Sequence, residues 1–282
     1  MKLDMHTHST ASDGQYSPEK LVSMAHELDL EFFSITDHDS ISGLEAACYE
    51  AKIKGIRFVP GIEISAQENE EIHVLGYGID YKNPLIIKAC EKYAFDRDNR
   101  AERICEYLGS KGIAVSMKEI HEIAGDSVIG RPHFATYLLR EGYVKERKEA
   151  FDLYLDTSEF ADATGRKEPT VEDAISIIHS VGGKAVLAHP GFIKKDTECL
   201  ELFIKKAKDA GLDGIECFYS QHSAEKTKLY LSYASKYDLK ISAGSDFHGE
   251  KVKSHVKLGM EIDEKEVGDR FVIDLNWEFI HD

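Results

Sequence analysis

The chain has 282 residues, 42% of them apolar, enough for one large α/β domain or a domain carrying an insertion, with a core of ordinary size. Its formal charge of −16 argues against a broad grip on duplex nucleic acid, yet admits a small anionic substrate, because bound cations change a local field. No apolar run approaches the roughly 18 residues of a membrane span. The start, MKLDMHTHS, has no apolar stretch behind a basic segment and predicts a cytoplasmic protein, and the five cysteines include no CxxC pair and predict free thiols.

In chain order, residues 2–5 predict a short strand, followed by a helix from Pro18 with Ser17 as its N-cap; Lys20 at the third helical position rules out a capping box there. The aromatic run EFFSIT (31–36) predicts a strand, 42–54 a helix, and 57–64 and 72–77 further strands. From 81 to 170 the pattern turns helical: a long periodic stretch over 85–108, a helix after Ser116 with Glu119 completing a capping box, then 132–141 and 145–155. Alternation resumes with helix 171–180, strand 184–188, a helix over about 199–210, strand 214–218, helix 224–237 and strand 240–243. Seven strands alternating with helices predict parallel βα units. Residues 81–170 carry 15 Lys+Arg against 16 Asp+Glu, whereas the remainder carries 20 against 35. The expected organisation is a domain of residues 1–80 and 171–282, interrupted by a helical subdomain at 81–170.

The polar residues that carry chemistry lie mostly at or just past the ends of these strands. His6 and His8 are two apart, so in extended backbone both imidazoles face one way and can reach one ion. Asp246 and His248 in GSDFHG repeat the spacing. Asp13 sits in the turn sequence SDG, where an Asx turn competes with ligation. His38 in TDHDS is flanked by Asp37 and Asp39, which can cap the next helix or, for Asp37, orient an imidazole. Glu63 lies between isoleucines in PGIEIS, where an inward carboxylate is costly unless paired or metal-bound, and His73 in EIHVLGY is similarly flanked. His133 follows Arg131 and Pro132 in GRPHF, and His189 precedes a proline in AHPG. His222 and Glu216 follow or end a strand and can face the same site; His26, His121, His179, His255 and His281 read as surface or tail residues. Ligands from so many strand ends converge only if the sheet closes around them, which predicts a barrel. The donors are nitrogen and oxygen only, suiting Zn, Mn or Fe, and ten exceed what one ion needs. Two to three divalent cations are therefore expected, with Glu63 as the bridge. In the absence of a GxSxG elbow or a P-loop, metal-bound hydroxide is the expected nucleophile.

In this order, DMHTHS, TDHD, PGIEIS, EIHVLGY, GRPH, AHPG and GSDFHG resemble the polymerase-and-histidinol-phosphatase (PHP) family over nearly the whole chain. The resemblance implies a distorted seven-stranded β/α barrel holding three metals. It implies one ion at His6, His8, Glu63 and Asp246, a second at Glu63, His73 and His133, and a third at Asp13, His38 and His248; some members carry histidine where this chain has Asp13. Arg131 and His189 match positions expected to contact the phosphate, His189 also as proton donor; the competing roles are a surface ion pair for Arg131 and metal ligation for His189. The helical insertion is similar to a stand-alone branch that hydrolyses nucleotide phosphates, including 3',5'-nucleoside bisphosphates, and trims short RNAs from the 5' end. The segment 160–169 (FADATGRKEP) and the tail after Gly259 have no counterpart in that pattern. The leading expectation is thus a nucleotide phosphomonoesterase without membrane or duplex DNA partners. The alternatives are a histidinol-phosphate phosphatase, a nuclease on short single strands using Arg97, Arg100 and Arg103, and a non-catalytic metal-binding module. Stacking aromatics for single strands are not evident in the sequence.

Overall fold

The computed structural model describes residues 1–67, 71–125, 129–165 and 169–273. The chain divides into two units, one of Met1–Cys90 with Pro169–Asp282 and one of Glu91–Glu168.

Nine strands belong to the described residues, all in the first unit: β1 (Lys2–Asp4), β2 (Phe32–Phe33), β3 (Arg57–Phe58), β4 (Gly61–Gln67), β5 (Glu71–Tyr77), β6 (Lys184–Leu187), β7 (Gly214–Tyr219), β8 (Lys240–Gly244) and β9 (Met260–Glu261). They form two mixed sheets, ordered β3-β2-β1-β9 and β4-β5-β6-β7-β8. This corrects the expectation of seven parallel strands. The pairs β1/β2, β2/β3, β6/β7 and β7/β8 are parallel, but β4/β5, β5/β6 and β1/β9 are antiparallel.

Two local causes account for much of the difference. The strand expected over 57–64 is split around Pro60, which has no N–H to give a ladder; β3 stays in the first sheet and β4 starts the second. Only three residues separate β4 from β5, too few for the crossover that a parallel pair requires, so the chain returns antiparallel.

The sheets meet at two isolated parallel bridges, Thr7 with Phe247 and His38 with Glu63. Met5 N–H donates to Ala243 O at 3.1 Å beside the first of them. The stretch 31–36 is laddered only at β2 and continues through single bonds, Ser34 N–H to Asp4 O and Thr36 N–H to Thr7 O, each 2.9 Å.

Helices cover the strands with apolar faces at helical spacing. Pro18–Glu27 starts where Ser17 Oγ accepts from Lys20 N–H, and it buries Leu21, Val22 and Ala25. Val171–Ser180 opens on a Thr170–Asp173 capping box and buries Val171, Ala174, Ile175 and Ile178.

In the second unit, Met117–Ala124 begins at the Ser116–Glu119 capping box. The helix expected over 145–155 is shorter, Arg147–Ala150, and passes into a π-helical turn, Phe151–Leu155. A further helix, Ser158–Thr164, occupies the first part of FADATGRKEP. Residues 166–168 of that stretch, the side chain of Arg97, and the tail beyond 273 with His281 lie outside the described residues. Ile104, Leu108, Ile120, Phe134, Leu138 and Leu155 form the middle of this unit's apolar core. No helix among the described residues is long and apolar enough to cross a membrane.

Candidate metal centre

Glu63 sits in the middle of β4, fully buried. Strand alternation puts Ile62 and Ile64 on one face and Glu63 with Ser65 on the other. Ser65 pairs with His73 across β4/β5, so Glu63 and His73 are diagonal neighbours on one face. Around this carboxylate the strand ends deliver imidazoles. Glu63 Oε2 lies 3.2 Å from His6 Nε2, 3.1 Å from His8 Nε2 and 3.1 Å from His38 Nδ1. Glu63 Oε1 lies 2.9 Å from His73 Nδ1 and 3.0 Å from His189 Nε2.

Asp246 and His248 arrive from the loop after β8. Asp246 Oδ1 is 3.3 Å from His8 Nε2, 3.8 Å from His6 Nε2 and 3.2 Å from His248 Nδ1. On the far side, Asp13 Oδ1 is 3.3 Å from His248 Nε2 and 3.8 Å from His8 Nδ1. Four overlapping groups thus have donor atoms mutually close enough for a shared cation: His8–Asp13–His38–His248, His6–His8–Asp246, His38–Glu63–His73 and His6–Glu63–His189.

These residues fit divalent ions on a direct test. His6 Nε2, His8 Nε2, His38 Nδ1 and Glu63 Oε2 are buried and make no hydrogen bond, although they are neighbours at 3.1–3.2 Å. Buried polar atoms are normally satisfied, and an orphan calls for an explanation. Ligands held about 2.0–2.1 Å from one ion stand roughly 3.0–3.4 Å apart, which is the spacing seen here.

The electrostatics agree. Burial opposes ionisation of Glu63, but the His38, His6 and His73 imidazoles overcome it and hold the carboxyl well below its usual range. Burial likewise opposes the His8 cation, yet Asp246 and Glu63 raise its pKa to about 9. His38 is pushed down to about 3, chiefly by burial. A cation would replace the protons that these groups share.

A surrounding layer holds the donors in place. Glu216 in β7, fully buried, places Oε1 3.0 Å from His6 Nδ1 and accepts the His189 N–H on Oε2 at 2.7 Å. It thereby sets the His6 tautomer that leaves Nε2 facing Glu63. Gly244 permits the approach, since a Cβ there would stand 2.2 Å from His6 Cβ and 2.9 Å from Glu216 Oε1. Asp246 Oδ2 accepts from Tyr219 OH at 2.8 Å and Lys253 Nζ at 2.7 Å, which turns Oδ1 toward His8. Asp4 accepts from Ser245 N–H, Ser245 Oγ and Gly259 N–H, fastening β1 to the GSDFHG loop; burial raises its pKa to about 6. Of the five non-glycine residues with positive φ among the described residues, Asp39, His189 and Asp246, at 51°, 24° and 60°, lie at this centre.

Several expectations change with these contacts. Asp37 does not cap a helix. Its carboxylate accepts from Ser9 N–H, Ser9 Oγ and Ser12 Oγ, each at 2.7 Å, and so ties down the loop leading to Asp13. Asp39 Oδ1 accepts from Ser65 N–H at 2.8 Å, and Gly43 stands at the N-cap position of the following helix. Both nitrogens of His222 are taken by backbone groups instead of facing the cluster: Nδ1 meets Cys217 O in β7 at 3.1 Å and Nε2 accepts from Gly191 N–H at 3.3 Å. His189 shares a cation-competent group with His6 and Glu63.

His133 and Arg131 belong to the second unit. There His133 Nδ1 accepts from Gly130 N–H at 3.0 Å, and Arg131 Nη1 lies 3.5 Å from Asp156 Oδ1. His179, read as a surface residue, is paired with Asp213 at 2.7 Å. Tyr219 and Lys253 are the contributors that sequence reasoning did not single out; Glu216, which the sequence allowed to face the site, orients His6 from behind. An acid between Ile215 and Cys217 is the same signal that marked Glu63; nothing local marks Lys253.

Comparison with known proteins places this geometry in a family. The PHP domain model matches residues 4–158. The chain is 34% identical over 251 residues to the 5'-3' exoribonuclease Rnm of Escherichia coli, covering 87% of this chain and 84% of that protein. It is 31% identical over 248 residues to the 3',5'-nucleoside bisphosphate phosphatase of Chromobacterium violaceum, covering 87% of each. A solved structure of an amidohydrolase from Chromobacterium violaceum, with bound sulfate and no metal, superposes with a TM-score of 0.82 at 30% identity over 93% of this chain and 92% of that one. With its buried carboxylate ringed by imidazoles and these matches, the chain belongs to the PHP domain family of metal-dependent phosphoesterases.

Proposed function

We propose that this enzyme hydrolyses phosphate monoesters of nucleotides, of the 3',5'-nucleoside bisphosphate or 5'-nucleotide type, at a centre of two or three divalent cations. The observation that carries the reading is Glu63: both oxygens of one buried carboxylate are ringed by five imidazole nitrogens from four separate stretches of chain. One ion would be held by His6, His8, Glu63 and Asp246, another against Glu63 Oε1 by His73 and His189, and a third by Asp13, His38 and His248. Nitrogen and oxygen donors of this kind suit Zn, Mn or Fe. Such ions supply Lewis-acid chemistry, neutralising phosphoryl oxygens and activating water. The protein's own part is to hold those donors fixed through Glu216, Tyr219, Lys253 and Asp37, and to keep the carboxylates ionised.

The facing of His189 Nε2 toward Glu63 Oε1 favours a ligand role over that of proton donor. Arg131 and His133 enter on the GRPH motif alone, Arg131 as a phosphate contact and His133 as a further donor. The bridges at both seams between the sheets favour a distorted barrel around the cluster, with 81–170 as an insertion in it. The substrate class is supported by the activities of the two curated relatives, which act on a nucleoside bisphosphate and on RNA, in preference to histidinol phosphate. A second reading, removal of nucleotides from the 5' end of short RNA, is favoured by the exoribonuclease relative. Turnover of adenosine 3',5'-bisphosphate, 5'-AMP, histidinol phosphate and a 5'-phosphorylated RNA oligomer, on protein of measured metal content, decides among them. Fastest turnover of histidinol phosphate would reject the nucleotide reading.

A further inference from the structure

Past His189 the chain makes a single 3₁₀ turn, Pro190–Phe192. Gly191 in its middle is held from both sides. Its N–H donates to His222 Nε2 at 3.3 Å, and its carbonyl accepts from Lys226 Nζ at 2.9 Å. His222 is itself fixed, with Nδ1 3.1 Å from Cys217 O in β7. Burial lowers the pKa of this imidazole, which suits one nitrogen donating while the other accepts. The turn lies flush on His222, because a Cβ on Gly191 would come within 2.7 Å of its ring.

What this anchoring presents is an exposed aromatic ring. Phe192 is 54% exposed, although its ring meets His189 at 5.7 Å and Tyr219 at 5.5 Å, the latter at 87°. His189 faces Glu63, and Tyr219 bonds Asp246, so the ring stands immediately beyond the cluster. A lone exposed phenylalanine is ordinary on a protein surface. This one differs in being carried by a turn bonded on both edges and packed on two residues of the centre.

Resting on the nucleotide reading above, we infer that Phe192 is the platform on which the nucleobase of the substrate stacks. With the phosphoryl group at the cations, the rest of a nucleotide must extend outward, and Phe192 is an apolar ring on the way out. A base offers a π-face whatever its identity, so stacking gives affinity with little preference among bases. His222 and Lys226 are positioning residues that fix the turn.

The test compares 5'-AMP with ribose 5-phosphate, which has the same phosphate and sugar but no base. Wild-type enzyme is expected to prefer AMP in kcat/KM. In Phe192→Ala the AMP-to-ribose-phosphate ratio falls roughly five- to hundred-fold, the scale of one lost stacking contact, and Phe192→Trp restores it. Equilibrium binding of the two compounds to wild type and Phe192→Ala repeats the comparison without turnover. A wild type that does not distinguish the two compounds overturns the platform, as does a Phe192→Ala ratio equal to wild type; in either case phosphoesterase activity survives as a separate result. If metal-loaded wild type cleaves no monoester, the functional reading fails. The binding arm then decides the platform, for it if AMP binds more tightly and Phe192→Ala removes the difference, against it otherwise.

Discussion

Both units have apolar cores, but among the described residues the first also buries a cluster of ionisable groups, which the second does not. In the second unit the core is apolar, with Ile104, Leu108, Phe134 and Leu138 in contact, and the one histidine of interest, His133, bonds a backbone N–H at a helix start. In the first unit the strand ends converge on His6, His8, Glu63 and Glu216, all fully buried. Burying polar and charged groups is costly unless each is paired, whereas apolar burial is favourable at roughly 25 cal/mol per Å². The first unit therefore tolerates groups that only partners can stabilise, and a cation is the partner its orphaned atoms call for. The comparison predicts that cations add to apolar packing in stabilising the first unit, and that packing alone matters to the second.

The largest effect should follow Glu63→Gln. Replacing the carboxylate shared by five imidazoles should remove most turnover and at least one bound ion, while the circular-dichroism spectrum persists. Wild-type turnover with full metal content would take Glu63 out of the centre. Phe134→Ala is the counterpart in the apolar core. It should cost about 3–5 kcal/mol in denaturant unfolding, with no change in metal stoichiometry. A metal content that falls in step would erase the contrast between the units.

His189→Ala separates the two roles open to that residue. Loss of an ion, with turnover reduced alike for AMP and p-nitrophenyl phosphate, marks a ligand. A drop of roughly 10² for AMP with full metal content, and a smaller drop for the better leaving group, marks a general acid. Glu216→Gln should be milder, weakening metal affinity roughly 10- to 100-fold as measured against a competing chelator. Unchanged affinity would reduce Glu216 to a packing residue.

The smallest effect concerns pH. Without cations, the Asp246 and Glu63 carboxylates overcome burial and raise His8 from 6.5 to about 9. A raised pKa means that the folded state binds the proton more tightly than the unfolded chain. The resulting stability is fully present below about pH 6.5 and is lost as pH rises through about 9. His6 shifts in the same direction. Chelator-treated protein should therefore lose Tm across that window, and cation-loaded protein should not. A Tm that rises from pH 6.5 to 9 in the chelated protein contradicts this account.

Much was legible from local pattern, because its causes act over a few residues. Ser17 before Pro18, the Ser116–Glu119 box and the apolar spacing over 171–180 specify helix starts and buried faces through contacts within one turn. The two-residue spacings of His6 and His8, and of Asp246 and His248, settle which side chains share a face once the backbone is extended. An acid among isoleucines at Glu63 announced a partner before any fold was known.

What tertiary structure decided is whatever depends on which segments meet. The antiparallel sense of β6 against β5 rests on pairing between distant stretches, and alternation of strands and helices looks the same whether the connections yield parallel or antiparallel neighbours. His222 and His189 each follow a strand, and nothing local distinguishes them. His222 turns to the Gly191 backbone and His189 toward Glu63 only because β6 and β7 lie side by side in the sheet. Lys253 is an ordinary surface-type lysine until the loop after β8 brings it to Asp246. A side chain's period along its own strand is a property of sequence; the partner it meets is set by packing between segments, and that is where the contacts of His189, His222 and Lys253 were determined.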